Sequence, residues 1–110
     1  MTEAWAIDLK KNSKVIGLIL LSDINIHNRY REIVYIISTE YQNKGFATQA
    51  VKQVLLYAFT ELNLLVVAVC YYPNNLKSKR VIEKCGFTYG GTLHKYSRNL
   101  MDSVRYSITK

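Results

Sequence analysis

The stretch Gln42-Asn43-Lys44-Gly45-Phe46-Ala47-Thr48 carries the residue types that an anion site needs. Glycine and alanine leave no bulk between the backbone and an approaching ligand. If a helix starts here, successive N–H groups and the positive end of the helix dipole converge on a phosphate. The stretch is therefore a candidate diphosphate cradle, with Lys44 and Thr48 as helpers. A Gln/Arg-x-x-Gly-x-Gly/Ala pattern arises by chance roughly once in ten chains of this length, so its placement must add weight. Further along, Asn75 and Ser78 open a second segment that also carries the cations Lys77, Lys79, Arg80 and Lys84. That cluster reads equally well as a solvated face or as an attractor for a further phosphate. Glu32 is the one acid on the strand-like stretch Arg31–Ser38 that precedes the cradle, where surface strand charge is the commoner role. His27 and His94 lack a partner at fixed spacing and read as structural. Cys70 and Cys85 show no CxxC spacing, so they read as reduced packing residues, with no metal site and no disulfide framework.

Positioning these groups requires a particular run of elements. Alternation and β-branched content predict strands over Ala4–Lys10 and Val15–Ser22, joined as a hairpin by Lys11-Asn12-Ser13-Lys14. A third strand, Arg31–Ser38, has an apolar run that suits burial on both faces. From Phe46 to Leu62 the apolar residues Ala47, Ala50, Val51, Val54, Leu55, Ala58 and Phe59 recur at three and four, the mark of an amphipathic helix opened by Gly45. Leu64–Cys70 is too valine-rich and short for a helix and reads as a central strand, making strand-helix-strand a right-handed parallel crossover. A second helix, Leu76–Cys85, stops at Gly86, and strands Phe87–Lys95 and Ser103–Thr109 follow. The order is β-β-β-α-β-α-β-β in a single domain, residues 1–110.

Composition excludes several classes. With 49% hydrophobic residues the chain is no disordered tail, and its apolar runs are too short to span a membrane. The first residues lack the basic flank and apolar stretch of a secretory signal, so the cytoplasm is the expected location. A net charge of +7 attracts anions without naming one. Trp5 and the nine tyrosines are spread through all elements, and most read as packing.

The turn between a buried strand and a helix resembles the acetyl-CoA pyrophosphate motif of the GNAT superfamily of N-acetyltransferases. Asn75-Leu76-Lys77-Ser78 through Lys84-Cys85-Gly86-Phe87 is similar to that family's Asn-x-x-Ser helix ending in Lys-x-Gly-Phe. Gly91-Thr92-Leu93-His94-Lys95-Tyr96 and Arg105-Tyr106-Ser107 look like the last two strands of the RimJ/RimL-like branch, which acetylates ribosomal-protein N-termini. The resemblance covers roughly residues 5 to 110. It implies an α/β fold with a mixed, mainly antiparallel sheet and a splayed parallel pair at its centre. It also implies direct transfer of acetyl from acetyl-CoA to a primary amine, on a peptide N-terminus or a small molecule, with no metal. Carried over residue by residue, the backbone of Ile36, Ile37 and Ser38 would take the pantetheine arm and the acetyl carbonyl. Gln42, Asn43, Lys44, Gly45, Phe46, Ala47 and Thr48 would hold the diphosphate, and Asn75 would hydrogen-bond the cofactor from the opposite lip. Ser78 matches the position placed near the thioester sulfur in Rim-type enzymes, and Glu32 matches a carboxylate that deprotonates the amine through water.

Departures accompany the match. Other branches place a tyrosine acid where this chain has Ile82, and relatives can carry a glutamate base where it has Lys95. A weakly equipped site favours an amine that is already neutral. An α-amino group is roughly one tenth to one sixth neutral at pH 7, whereas a lysine side chain is neutral about once in 2,500 molecules. Family members usually begin with a strand and two helices that this sequence does not show. Either a second copy in a homodimer closes the acceptor pocket, or the domain binds acyl-CoA without turnover. A nucleic-acid module, suggested by +7 and Arg29-Tyr30-Arg31, is the remaining alternative, and no nucleic acid or membrane partner is expected. Replacing Gly45 by valine is expected to abolish cofactor binding and leave the fold largely intact.

Overall fold

The structure, a computed structural model, describes residues 3–9, 14–25, 29–95 and 101–110. Six strands and two α-helices follow the predicted order: β1 (Glu3–Leu9), β2 (Lys14–Asn25), β3 (Tyr30–Ile37), α1 (Phe46–Thr60), β4 (Val66–Tyr71), α2 (Leu76–Lys84), β5 (Thr88–Leu93) and β6 (Ser103–Thr109). One sheet holds them in the order β1-β2-β3-β4-β6-β5, and every neighbouring pair is antiparallel except β3 and β4. A short 3-10 turn, Thr39–Tyr41, leads from β3 towards α1.

Period decides which faces are buried. The predicted spacing on α1 places Ala47, Val51, Val54, Leu55 and Ala58 on one buried stripe. That stripe and Ile82 and Cys85 from the α2 segment share a single core with Ile19, Leu21, Ile33, Val67 and Val69 of the sheet. Each fully buried Val, Leu or Ile contributes about 1.5–3 kcal/mol from removal of apolar surface from water. Both helices thus cover the same face of the sheet, and this corrects the reading of β3 as buried on both faces. Ile33 is 1% exposed, whereas Val34 is 40% and Ile36 66% exposed, because neither helix lies over their side of the pleat. Leu18, opposite Ile36 in the register, is exposed with them.

Boundaries shift by one to three residues from the sequence expectation, β2 running on to Asn25 rather than ending at Ser22, and several of the shifts have local causes. The helix ends at Thr60 rather than Leu62: Thr60 Oγ1 donates to the Leu56 carbonyl, and Asn63, at φ +56°, turns the chain out. The Leu64-Leu65 pair connects α1 to β4, with Leu65 N–H bonded to Arg29 O. Strand β5 stops at Leu93 because Lys95 turns at φ +51° and its N–H bonds Asp102 Oδ1. His94 sits in this turn and has a partner after all, Asp102 Oδ2 at 3.3 Å, so it helps to fasten the link between β5 and β6. His27, Tyr96 and most of the predicted hairpin turn lie outside the described residues.

Candidate acyl-CoA site

The parallel pair is three residues long. Tyr30, Arg31 and Glu32 pair with Val66, Val67 and Ala68, and no further pairing joins β3 to β4. Beyond Glu32 the strands diverge, so β3 has a neighbour on one side only. Ser38 N–H bonds Ile16 O, which fixes the alternation of the antiparallel ladder: Ile36 and Val34 bond towards β2, and the N–H groups of Tyr35 and Ile37 face the gap left by β4. The carbonyl of Ile37 on that same side accepts from Gln42 Nε2 at 3.2 Å.

The gap is one side of a cleft of about 550 Å³, a volume in the range usual for small-molecule sites. Its walls are the end of β3, the turn into α1 with that helix's first residues, and one side of α2 from Asn75 to Lys84. Of the residues singled out from sequence, Ile36, Ile37, Gln42, Asn43, Gly45, Phe46, Ala47, Thr48, Asn75 and Ser78 line it, and Glu32, Ser38 and Lys44 do not. Lys44 instead lies with its Nζ 5.7 Å from the centre of the Tyr41 ring.

The turn has the backbone that a cradle requires. Asn43 and Gly45 both take positive φ, +63° and +84°, and no side chain caps the start of α1. The first-turn N–H groups of α1 are left without intrahelical acceptors at the positive end of its dipole. A Cβ built on Gly45 would meet no atom within 4 Å, so the groove beside the glycine is open. The residues present fit a diphosphate on this observation. The positive φ also corrects the valine expectation, since a β-branched residue in the left-handed region strains the backbone itself. Gln42 does more than border the groove. Its Nε2 holds Ile37 O, and its Oε1 accepts from Lys77 Nζ at 3.3 Å, so one amide ties β3 to α2.

On the opposite lip Asn75 caps α2: its Oδ1 accepts from Ser78 N–H at 3.1 Å, which leaves its Nδ2 hydrogens for another acceptor. Lys77, Arg80, Val81 and Lys84 share the cleft-facing side of α2 through their three- and four-residue spacing, and Lys79 falls off it. Ile82, where some relatives carry a tyrosine, is 1% exposed and belongs to the core. Tyr35, counted among packing aromatics from sequence, also lines the cleft, with its hydroxyl 3.1 Å from Ser78 Oγ. Its position on β3 two residues before Ile37 was the available signal.

Glu32 marks the point where the strands part, and it is half-buried. Burial pushes its carboxyl above the ordinary range. Across the pair, burial and then the Glu32 charge push the Cys70 thiol up to about 11. Tyr30, on the same side of the pleat as Glu32, has Arg105 5.2 Å from its ring centre.

The profile of a family described as "Acetyltransferase (GNAT) domain" matches residues 1–88. The chain belongs to the GNAT family. A spermidine N(1)-acetyltransferase of Vibrio cholerae is 40% identical over 86 residues, 78% of this chain and 49% of that protein. Among solved structures, the ribosomal-protein-S5-alanine acetyltransferase from Vibrio fischeri superposes with a TM-score of 0.92 at 28% identity, over 98% of this chain and 61% of that one. The F149A mutant of the Vibrio cholerae spermidine N-acetyltransferase SpeG gives 0.88 at 32% identity, over 98% and 65%. These likenesses bear out the α/β GNAT fold expected from the sequence. The GNAT chain spans about half the length of the curated relatives it matches.

Proposed function

We propose that this GNAT domain binds acetyl-CoA and transfers its acetyl group to a primary amine. The carrying observation is the gap that opens beyond Glu32 beside an uncapped, glycine-started helix. Acetyl-CoA supplies an activated thioester, and the chain supplies its placement. Amides at Gly45 to Thr48 hold the diphosphate. The backbone of Ile36, Ile37 and Ser38 takes the pantetheine arm as an added strand would be taken. The Ile37 N–H donates to the acetyl carbonyl oxygen, where it is worth most as negative charge grows there. Asn75 Nδ2 donates from the other lip, and the Ser78 hydroxyl lies beside the sulfur. Lys77, Arg80 and Lys84 attract the 3'-phosphate. Held in register, the two reactants need little further catalysis.

Glu32, at the seam and outside the cleft lining, is the base of this proposal and takes the amine's proton through water. A carboxyl raised by burial is a better proton acceptor than an exposed one, yet a single half-buried acid is weak equipment for an amine of pKa near 10. A peptide α-amine, as in the Rim-type branch, is therefore favoured over a lysine side chain. A homodimer is part of the proposal. Its support is the apolar strip of Leu18, Val34 and Ile36, which neither helix covers. A monomer in light scattering at micromolar concentration removes that part.

The test is calorimetry with CoA, followed by thiol release from acetyl-CoA with an N-terminal alanine peptide, spermidine and a lysine-containing peptide blocked at its α-amine. Micromolar CoA binding and fastest release with the free α-amine are expected. Absence of CoA binding refutes the proposal. Binding without release for any amine favours a non-catalytic acyl-CoA domain, the reading that the buried Ile82 would suit.

A further inference from the structure

Ser78 stands at the third position of α2, where a helix serine commonly turns its hydroxyl back onto its own backbone. Here it does otherwise. Among the described residues its Oγ has one partner, the Tyr35 hydroxyl at 3.1 Å, and that hydroxyl lies 3.4 Å from the Ser78 carbonyl oxygen as well. The two side chains come from opposite walls of the cleft, β3 and α2, and meet where the strand gap is open. Burial is the main cause that raises the Tyr35 phenol above its ordinary value, so the phenol keeps its proton throughout the neutral range.

A phenol has one proton and a serine hydroxyl has one. The Tyr35 proton has two acceptors in reach, the Ser78 carbonyl oxygen at 3.4 Å and Oγ at the shorter 3.1 Å; when it goes to Oγ, the serine's own proton is left for another acceptor. A thioester sulfur becomes a thiolate as its bond to the acetyl carbon breaks, and a thiolate accepts hydrogen bonds. The position that supplies a tyrosine in other branches is a core isoleucine in this chain, so Tyr35 reaches the region from the facing strand instead.

We propose that Tyr35 is the positioning residue for Ser78: it fixes the serine rotamer and leaves the Oγ proton to donate to the CoA sulfur. The proposal rests on the acyl-CoA reading above. In turnover the C–N bond forms and the C–S bond breaks. The amine gives its proton to Glu32 or water, and the sulfur takes one from water. Ser78 and Tyr35 keep theirs, and their contribution is a hydrogen bond that strengthens as the sulfur gains charge.

The test reads the bound thiol directly, without an amine. CoA is titrated with pH in complex with wild type, Tyr35→Phe, Ser78→Ala and the double variant, and thiolate is followed by its ultraviolet absorbance. A hydrogen bond to the charged sulfur is expected to lower the wild-type thiol pKa by about one unit relative to either single variant. The double variant should match the singles, because the two hydroxyls act as one unit. Ser78→Thr, which keeps a hydroxyl, should restore the lowered value. At pH 7, where the free thiol is protonated, CoA affinity should stay within about threefold in every variant, while kcat for the best amine falls roughly tenfold in each single variant at unchanged KM for acetyl-CoA. A brace without chemistry would move thermal stability and leave the thiol pKa alone. If CoA binds and Tyr35→Phe titrates as wild type does, the proposal falls and the acyl-CoA reading stands. If wild type fails to bind CoA, both fall.

Discussion

Replacing Gly45 by alanine separates the backbone's cost from the ligand's. At φ +84° an L-residue pays about 1–2 kcal/mol that glycine does not. No atom lies within 4 Å of the added Cβ, so no packing clash joins that cost. A loss of this size in a domain of 110 residues corresponds to a fall in melting temperature of about 4–8 °C per kcal/mol. The same methyl projects into the groove where the proposed diphosphate would lie against bare amides. Affinity for CoA should therefore drop at least tenfold, or about 1.4 kcal/mol, over and above the folding effect. Asparagine, which tolerates the left-handed region, serves as the control: Gly45→Asn should recover much of the stability and none of the affinity. Calorimetry with CoA and thermal melts on the three proteins give both quantities. Unchanged affinity in the folded alanine variant, or its full recovery with asparagine, would refute a ligand pressed against this backbone.

Three further outcomes follow from separate parts of the molecule. A Cβ on Gly17 would collide with the Ile36 carbonyl oxygen, so Gly17→Ala should destabilise by about 1–3 kcal/mol in urea unfolding; a neutral result would mean β2 and β3 separate easily there. CoA should bind more tightly than dephospho-CoA, and Arg80→Ala with Lys84→Ala should erase that difference; a difference that persists removes these cations from the 3'-phosphate. Because burial raises Glu32, its contribution favours the fold most below the unfolded carboxyl pKa and is lost as pH rises through the folded value. Glu32→Gln should then raise the melting temperature at pH 7 but not below about pH 4, and should hasten alkylation of Cys70 by removing a neighbouring charge.

Much of the fold was legible because local pattern and tertiary demand agree. The three-and-four spacing from Ala47 to Ala58 could only be a helix with one buried stripe, and the run ending at Cys70 fits the sheet's central strand. The cradle was legible for a like reason, since Gly45 at a strand-to-helix turn is a backbone requirement written in one residue. One-sided burial of β3 is not legible because Val34 and Ile36 are as apolar as the core residue Ile33; which face the helices cover is decided by the crossover, not by the strand's composition. The contact of Tyr35 is hidden for a related reason. A strand tyrosine looks the same whether its hydroxyl meets solvent or a serine across a cleft, and only the closure of α2 against β3 distinguishes them. The role of Gln42 as a tie to Lys77 is likewise a long-range fact, invisible to spacing.

The brevity of the β3–β4 ladder has a mechanical consequence. The sheet has two antiparallel halves, β1-β2-β3 and β4-β6-β5, which among the described residues pair only along the seam from Tyr30 to Glu32, with the helices lying across it on one face. Such a joint should open before either half melts, so amide exchange at the seam should be faster than in the middle of β2. A ligand lodged in the notch acts as a staple between the halves. At a hundred times its dissociation constant it would add about 2.7 kcal/mol, felt first as slowed exchange along that seam.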